Sequence, residues 1–448
     1  MGADSPIEHI RAWPVVSLAE IAIKIGSGAT PKGGAETYLP SRRRFALVRS
    51  QNVFDRRFGR EGLAFITDEQ ADGLRGVVLQ ADDILLNITG DGVTFGRACL
   101  VPKDILPACV NQHVSIIRLD PRRATAGYVL AFLTHPDVKG YIESFNAGGS
   151  RRAVTKGHIE SFRLPLPPLS EQRAIARILG TLDDKIDLNR CMNETLEAMA
   201  QAIFKDWFVD FGPTRAKMEG RAGYISPKIW KLFPDRLDDE GKPEGWITST
   251  IGEEVDVVGG STPSTGEPGY WNGDLAWTTP KDLSPLTTPI LLSTERMITS
   301  AGLAQIGSGL LPVGTVLLSS RAPIGYIAVA KIPTAINQGF IGMICRKRIS
   351  NVFVWLWARA NLSTILQHAN GSTFQEISKK NFRPLPCLLP SSEILKAFNE
   401  IASPLFDRIA SSTHEDRWLM QTRDLLLPKL ISGEIRVLNV EKTAEPAL

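Results

Sequence analysis

Residues 82–101, DDILLNITGDGVTFGRACLV, and residues 313–330, VGTVLLSSRAPIGYIAVA, decide how this chain is to be read. Each is a hydrophobic strand, a polar tip, a glycine and a second hydrophobic strand, the pattern of a β-hairpin. Working outward, the two stretches are rungs of a longer ladder. GSGATPKGG (26–34) and GGSTPSTGEPG (259–269) each set a Thr-Pro step, Thr30-Pro31 and Thr262-Pro263, in a glycine-rich turn. FALVRSQNV (45–53) and LAWTTPKDL (275–283) are short apolar strands running into polar residues. Asn111-Gln112 answers Asn337-Gln338, and Gly149-Ser150 answers Gly371-Ser372. Trp13 and Trp246 begin the two series, which end in the proline-rich LPLPPLSEQ (164–172) and LPCLLPSSE (385–393). An offset of 222 positions carries both Gly149 to Gly371 and Glu171 to Glu393, so the chain is internally duplicated.

Each copy is followed by an amphipathic helix. In the first, Ile175, Ile178, Leu182, Ile186, Met192, Leu196, Met199 and Ile203 advance by threes and fours, and in the second Ile394, Phe398, Ile401, Leu405, Ile409, Leu419, Thr422 and Leu426 repeat the spacing. Ser170 is the expected N-cap of the first, with Glu171 complementing its dipole, and Pro428 the expected stop of the second. At about 35 residues each, the helices are roughly 50 Å long. Neither buries its stripe alone, so the two are expected to pack on each other as an antiparallel coiled coil. Pro404 predicts a kink or break, and Asn189 and Ser412, at otherwise apolar positions, either set the register or are solvated. The predicted fold is mixed α/β (α+β), with globular domains at 1–168 and 246–390, helices at 169–211 and 391–436, an exposed connector at 212–245 and a tail at 437–448.

The 448 residues, 43% hydrophobic, suffice for two cores. A net charge of +3 decides nothing about partners; local clusters must. These lie in the first half, at Arg42, Arg43 and Arg44, at Arg56, Arg57 and Arg60, at Arg122 and Arg123, and at Arg151 and Arg152, each a solvated face or a nucleic-acid contact. Five cysteines without a CxxC pair suggest neither a disulfide framework nor a zinc ribbon. Asp4, Glu8 and Arg11 stand where a secretory signal needs apolar residues, and no run is long enough for a membrane span, so a cytoplasmic protein is expected.

Catalytic signatures do not appear. GSGATPKGG lacks the spacing and the Lys-Ser or Lys-Thr of a phosphate loop, and neither HExxH nor a GxSxG elbow occurs. No Asn-Pro-Pro-aromatic segment or GxGxxG arrangement suggests an adenine methyltransferase with its own cofactor. The carboxylate pairs Asp82-Asp83 and Asp183-Asp184 read as a turn and a helix surface. The pattern points to recognition or scaffolding, not to an enzyme.

EPGYWNGDLAWTTPKDL (267–283), LLSSRAPIGYIAVA (317–330), NQGF (337–340), PPLSEQRAIARIL (167–179), FKDWFVDFGP (204–213) and RDLLLPKLISGEI (423–435) together resemble the specificity (S) subunit family of type I restriction-modification systems. The resemblance implies two target-recognition domains spaced by two antiparallel helices. It also implies double-stranded DNA as ligand, two modification subunits carrying S-adenosylmethionine and two restriction subunits using ATP and Mg, with no cofactor or metal on this chain. One departure is Ser391-Ser392-Glu393-Ile394, where the first copy and the family have Ser-Glu-Gln. The alternatives are a duplicated protein-binding scaffold and a self-contained DNA methyltransferase.

Two domains held apart by helices would act as a ruler on a bipartite, asymmetric target. Features shared by both copies are then expected to hold loops, and base readers to lie where the copies differ. In the first copy that selects Lys32, Arg49, Gln51, Asn87, Thr89, Arg151 and Arg152; in the second, Ser264, Lys281, Ser320, Arg321, Thr373 and Gln375. Arg forks onto guanine and Asn or Gln onto adenine, although phosphate contact is the commoner fate of any one cation. Lys156, Lys379 and Lys380 read as backbone anchors. Trp207, Phe208 and Phe211 form either a partner-docking patch or the cap of a core.

Overall fold

The computed structural model describes residues 13–90, 93–144, 152–371 and 375–437. It comprises two compact units, one formed by residues up to 186 together with those from 418 onward, the other by 187–417.

The first unit carries a four-stranded antiparallel sheet in the order Ala22–Ser27, Val114–Leu119, Ile84–Asn87 and Ala98–Leu100. A second sheet places Phe45–Val48 between a parallel neighbour, Ala108–Val110, and an antiparallel one, Ala64–Ile66. Val15–Ser17 pairs with Arg163–Pro165. The strands are runs of β-branched and aliphatic residues; Ile84, Leu86 and Ile117 are fully buried with the helix Ala126–Leu133, and Leu85 and Ile116 on the opposite face against Ala46 and Val48 of the second sheet.

The second unit repeats the plan. Asp256–Gly259, Phe340–Ile344, Val316–Ser319 and Ile327–Ala330 form the equivalent antiparallel sheet, extended by Ile290–Leu291. Trp271–Thr278 lies between parallel Thr334–Ile336 and antiparallel Arg296–Ile298. Ile247–Thr250 pairs with Pro386–Leu389. The duplication read from scattered glycines and Thr-Pro steps is thus a duplication of strand order and direction. Among the described residues the short hairpin of Val53–Phe54 and Arg57–Phe58 has no counterpart in the second unit; the short helix that precedes it, Ser50–Asn52, does, in Pro280–Leu283.

The long helices are Leu169–Phe208, 40 residues, and Ser392–Ser432, 41 residues, each about 60 Å at 1.5 Å per residue. Each contributes to both units. In the first, Ala174, Ile175 and Leu179 share a core with Leu427, Leu430 and Ile431. In the second, Ala200 and Phe204 share one with Phe398, Ala402, Phe406 and Ile409. Asn189 meets Asp416 and Asn193 meets Ser412, so rising numbers on one helix face falling numbers on the other and the pair is antiparallel.

Several expectations change. The second helix runs unbroken through both Pro404 and Pro428. Pro404 and Glu400, whose carbonyl it leaves without a helical donor, are exposed to water; around Pro428, burial of Leu427, Leu430 and Ile431 offsets the roughly 3 kcal/mol of an interior proline. Asn189 and Ser412 are not solvated. Asn189 is fully buried and donates to Glu415 Oε2 at 2.9 Å and Asp416 Oδ1 at 2.7 Å, while Ser412 Oγ donates to Asn193 Oδ1 at 2.5 Å. The first helix begins at Leu169, with Ser170 inside it. The connector is a folded segment: it contains the helix Gly212–Met218 and buries Phe233 against Trp207. Asp83 is completely buried in a bidentate pair with Arg118, and Asp183 is tied to Arg56 and Arg423, so neither carboxylate belongs to an open surface.

Candidate nucleic-acid interface

In each unit the two parallel strands deliver their carboxyl ends to one edge, the position at which α/β folds commonly receive ligands. Phe45–Val48 leads into Arg49 and Gln51, and Ala108–Val110 into Asn111, Gln112 and His113; Asn111 N donates to Val48 O at 3.0 Å. In the second unit Trp271–Thr278 leads into Thr279 and Lys281, Thr334–Ile336 into Asn337 and Gln338, and Asn337 N donates to Thr278 O at 3.1 Å.

A shared polar bracket holds this edge. Thr30 Oγ1 donates to Gln112 Oε1, and Thr262 Oγ1 to Gln338 Oε1. The Asn111 side chain accepts from His113 N and that of Asn337 from Gly339 N. Gly28 and Gly260, two residues before each threonine, press so closely on the carbonyls of Val110 and Ile336 that a Cβ would lie 2.1 and 1.7 Å from oxygen. The features common to both copies are therefore spent on loop geometry.

Next to the bracket stands the tip of the central hairpin. Ile88 N donates to His113 O and Ser320 N to Gly339 O; Val154 N donates to Ile88 O and Ile377 N to Ser320 O. These matching bonds make Thr89 and Arg321 equivalent positions, and they bring the second polar loop of each copy to the tip: Arg152 pairs with Gly90 and Arg321 with Glu376 across short bridges. Thr89 Oγ1 lies 2.7 Å from His113 Nδ1, and Arg321 is 3.8 Å from the Glu376 carboxylate.

The predicted residues separate on this frame. Lys32, Gln51, Ser264, Lys281, Gln375, Lys379 and Lys380 are exposed, and Arg49, Thr89 and Arg321 half-buried. Arg49 Nη2 donates to Gly62 O and its guanidinium faces the Tyr38 ring at 5.6 Å, which fixes its direction. Lys156 and Lys379 each begin a short helix capped by Thr155 or Ser378. Asn87 and Ser320 are corrections. Asn87 is fully buried with both amide hydrogens committed, to Ser50 O at 2.9 Å and Thr94 O at 3.0 Å, and Ser320 is 3% exposed, so both are struts of the tip. Arg151, Thr373 and the Arg152 side chain lie outside the described residues.

Trp207 and Phe208, 2% and 7% exposed, stack edge-on with Phe233, Phe353 and Phe398. Phe211 covers Trp246 at 5.7 Å. Of the two roles open to these aromatics, the geometry is that of a core cap. Sequence reasoning missed His113, which continues the bracket toward the tip and whose signal lay in the difference between the copies at NQH and NQG, and it missed Arg97 beside Phe54.

Several of the clustered arginines have partners within the chain. Arg42 donates to the carbonyls of Asp104 and Leu106, Arg60 and Arg122 pair with Asp104 and Asp120, and Arg56 with Asp183. Burial pushes the thiol of Cys109 up to about 11 and those of Cys345 and Cys387 up to about 12, so these three are not ready nucleophiles. Among the described residues no helix is long and apolar enough to cross a membrane.

The type I restriction modification DNA specificity domain matches residues 60–198 and again 243–416, well over half of the chain. The chain is 24% identical over 387 residues to the type I restriction enzyme HindI specificity subunit of Haemophilus influenzae, covering 76% of this chain and 84% of that one. It is 35% identical over 184 residues to the MjaIX specificity subunit of Methanocaldococcus jannaschii, covering 40% and 43%. Its fold is similar to the crystal structure of a type I restriction-modification S subunit from M. genitalium, with a TM-score of 0.57 and 14% identity over 94% of this chain and 96% of that one. With two copies of the family's domain, each built on the same bracketed edge, this chain belongs to the type I restriction-modification DNA specificity family and is a non-catalytic specificity subunit.

Proposed function

We propose that the chain reads an asymmetric, bipartite DNA target, one half-site with each unit. The observation that carries the reading is the contrast at the strand-end edge: the Thr–Gln bracket and its glycine are the same in both units, while the positions of Arg49 and Thr89 in one are taken by Thr279 and Arg321 in the other. A common frame presenting different side chains is what two readers of different sequences require. Lys32, Gln51 and Thr89 with Arg49 serve the first half-site, and Ser264, Lys281, Arg321 and Gln375 the second; Lys156, Lys379 and Lys380 anchor the backbone. Arg151, Arg152 and Thr373 remain candidates for the same role by sequence alone. Both long helices serve both units, and at about 60 Å, nearly two turns of a ~34 Å duplex repeat, they are suited to fixing a spacer.

Subunits of this family assemble with other subunits, on which the cofactors reside. In this reading two modification subunits bring S-adenosylmethionine and two restriction subunits bring ATP and Mg, in the cytoplasm. The adenine is swung out into a modification subunit's pocket, and this chain supplies position. The test is retention of a randomised duplex library by the chain assembled with its modification subunits. Salt-sensitive enrichment of one gapped motif supports the reading. Retention without sequence preference, or none, favours a protein scaffold; methylation by the chain alone would make it an enzyme.

A further inference from the structure

The hairpin bearing Phe54 in the first unit carries an aromatic shelf. Phe54 has the guanidinium of Arg57 4.1 Å from its ring centroid and that of Arg97 at 4.9 Å. Arg97 stands at the foot of the central tip, where Asn87 N donates to its carbonyl and Gly96 N donates to Asn87 O. The same two bonds recur in the second unit, from Ser319 N to Tyr326 O and from Gly325 N to Ser319 O. Arg97 and Tyr326 are therefore equivalent positions with opposite chemistry, and the hairpin bearing Phe54 has no equivalent among the described residues.

The charges around Arg97 are accounted for. Arg56 is taken by Asp183 and Lys139 by Asp55, whose other oxygen accepts Ala98 N at 3.2 Å. Among the described residues Arg97 has neither ion pair nor side-chain hydrogen bond; only the Phe54 ring supports its half-buried guanidinium. A cation partly removed from water, stacked so that its N–H edge is held in one direction, is prepared for an anion from outside the chain.

We infer that Arg97, aligned on Phe54, binds a backbone phosphate of the duplex beside the first half-site, and that the second unit lacks this contact. The inference rests on the DNA-reading function proposed above and adds a ligand atom class and an asymmetry to it. Phosphate is favoured over a base edge because Arg97 sits at the root of the tip, behind Thr89, and not at its end.

The experiment measures DNA affinity against salt for the chain assembled with its modification subunits, comparing wild type with Arg97→Gln and with Arg97→Tyr, the residue of the other unit. One lost phosphate contact lowers the magnitude of the log–log salt slope by about 0.9, so between 50 and 200 mM salt wild-type affinity falls about 3.5-fold more than that of either variant. Motif preference and melting temperature stay unchanged. An unaltered slope, or a change confined to one base pair of the motif, overturns the inference. A wild-type complex without sequence-dependent retention overturns the functional reading beneath it, and is distinguishable because it needs no variant.

Discussion

Replacing Asp183 with alanine tests how the first unit is fastened to the helices that run through it. The Asp183 carboxylate lies 2.6 Å from the Arg56 guanidinium of the hairpin and 3.0 Å from Arg423 Nη1 of the second long helix. The three side chains are 7%, 17% and 18% exposed, so this is a nearly buried triad, and removal of its centre leaves two guanidiniums facing each other. Breaking a buried pair costs about 3–5 kcal/mol. Arg56 keeps a bond to Thr134 Oγ1 and Arg423 keeps Asp424, which places the loss near the lower end, about 3 kcal/mol. Only Trp13 and Trp418 of the nine tryptophans belong to the first unit, so fluorescence is the wrong probe. Hydrogen exchange at Leu85, Leu86 and Ile116 should accelerate about a hundredfold, and replacing Arg56, Asp183 and Arg423 together by Met or Leu should restore much of the loss. Asp183→Ala within 1 kcal/mol of wild type would mean that the triad behaves as a surface pair and refute the reasoning.

Other outcomes follow from the same structure. Burial raises the Glu197 carboxyl above its ordinary 4.5 against the opposing pull of Arg359 and Gln201. Its folded form holds a proton that the unfolded chain has released, so stability falls as pH rises from 4.5 through the folded value, and Glu197→Gln should melt higher than wild type at pH 7 with little difference at pH 4. Burial lowers His135, whose Nδ1 accepts Asp137 N at 3.2 Å, against the raising effect of Asp137. Below 6.5 the unfolded state binds a proton that the folded state resists; denaturant titrations between pH 7 and 5 should show stability falling, less steeply in His135→Asn. Arg321→Ala should relax discrimination at one half-site by about 1–3 kcal/mol in competition binding, and equal weakening on unrelated sequences would assign Arg321 to phosphate.

The duplication was legible because turn chemistry survives divergence: Gly28 and Gly260 meet backbone carbonyls that tolerate no Cβ, and Thr30 and Thr262 each donate to the glutamine of the bracket. The helices were legible from their apolar period, but not their continuity, since burial of Leu427 and Leu430 overrides the propensity of Pro428. The triad could not be read, because Arg56, Asp183 and Arg423 are brought together across 127 and 240 residues. The departure at Ser391-Ser392-Glu393-Ile394 became intelligible only in three dimensions. In the first copy Gln172 accepts from Thr125 N and donates to Arg123 O and Pro167 O; in the second, Ile394 fills the place as a buried apolar residue. At the interface the sequence located the strand ends and tips but misjudged Asn87 and Ser320, whose residue types suit base edges and whose burial does not. Arg97 was hidden because tips of unequal length put it out of step with Tyr326 until the hydrogen bonds set the register.

The central claim is that one chain holds two readers of different half-sites at a fixed separation. Mapping methylated adenines across the genome of a host that carries this chain and its partner subunits tests it directly. The account predicts a single asymmetric motif of two unlike half-sites with a spacer of constant length; a continuous palindrome, or half-sites methylated at variable separation, would contradict it.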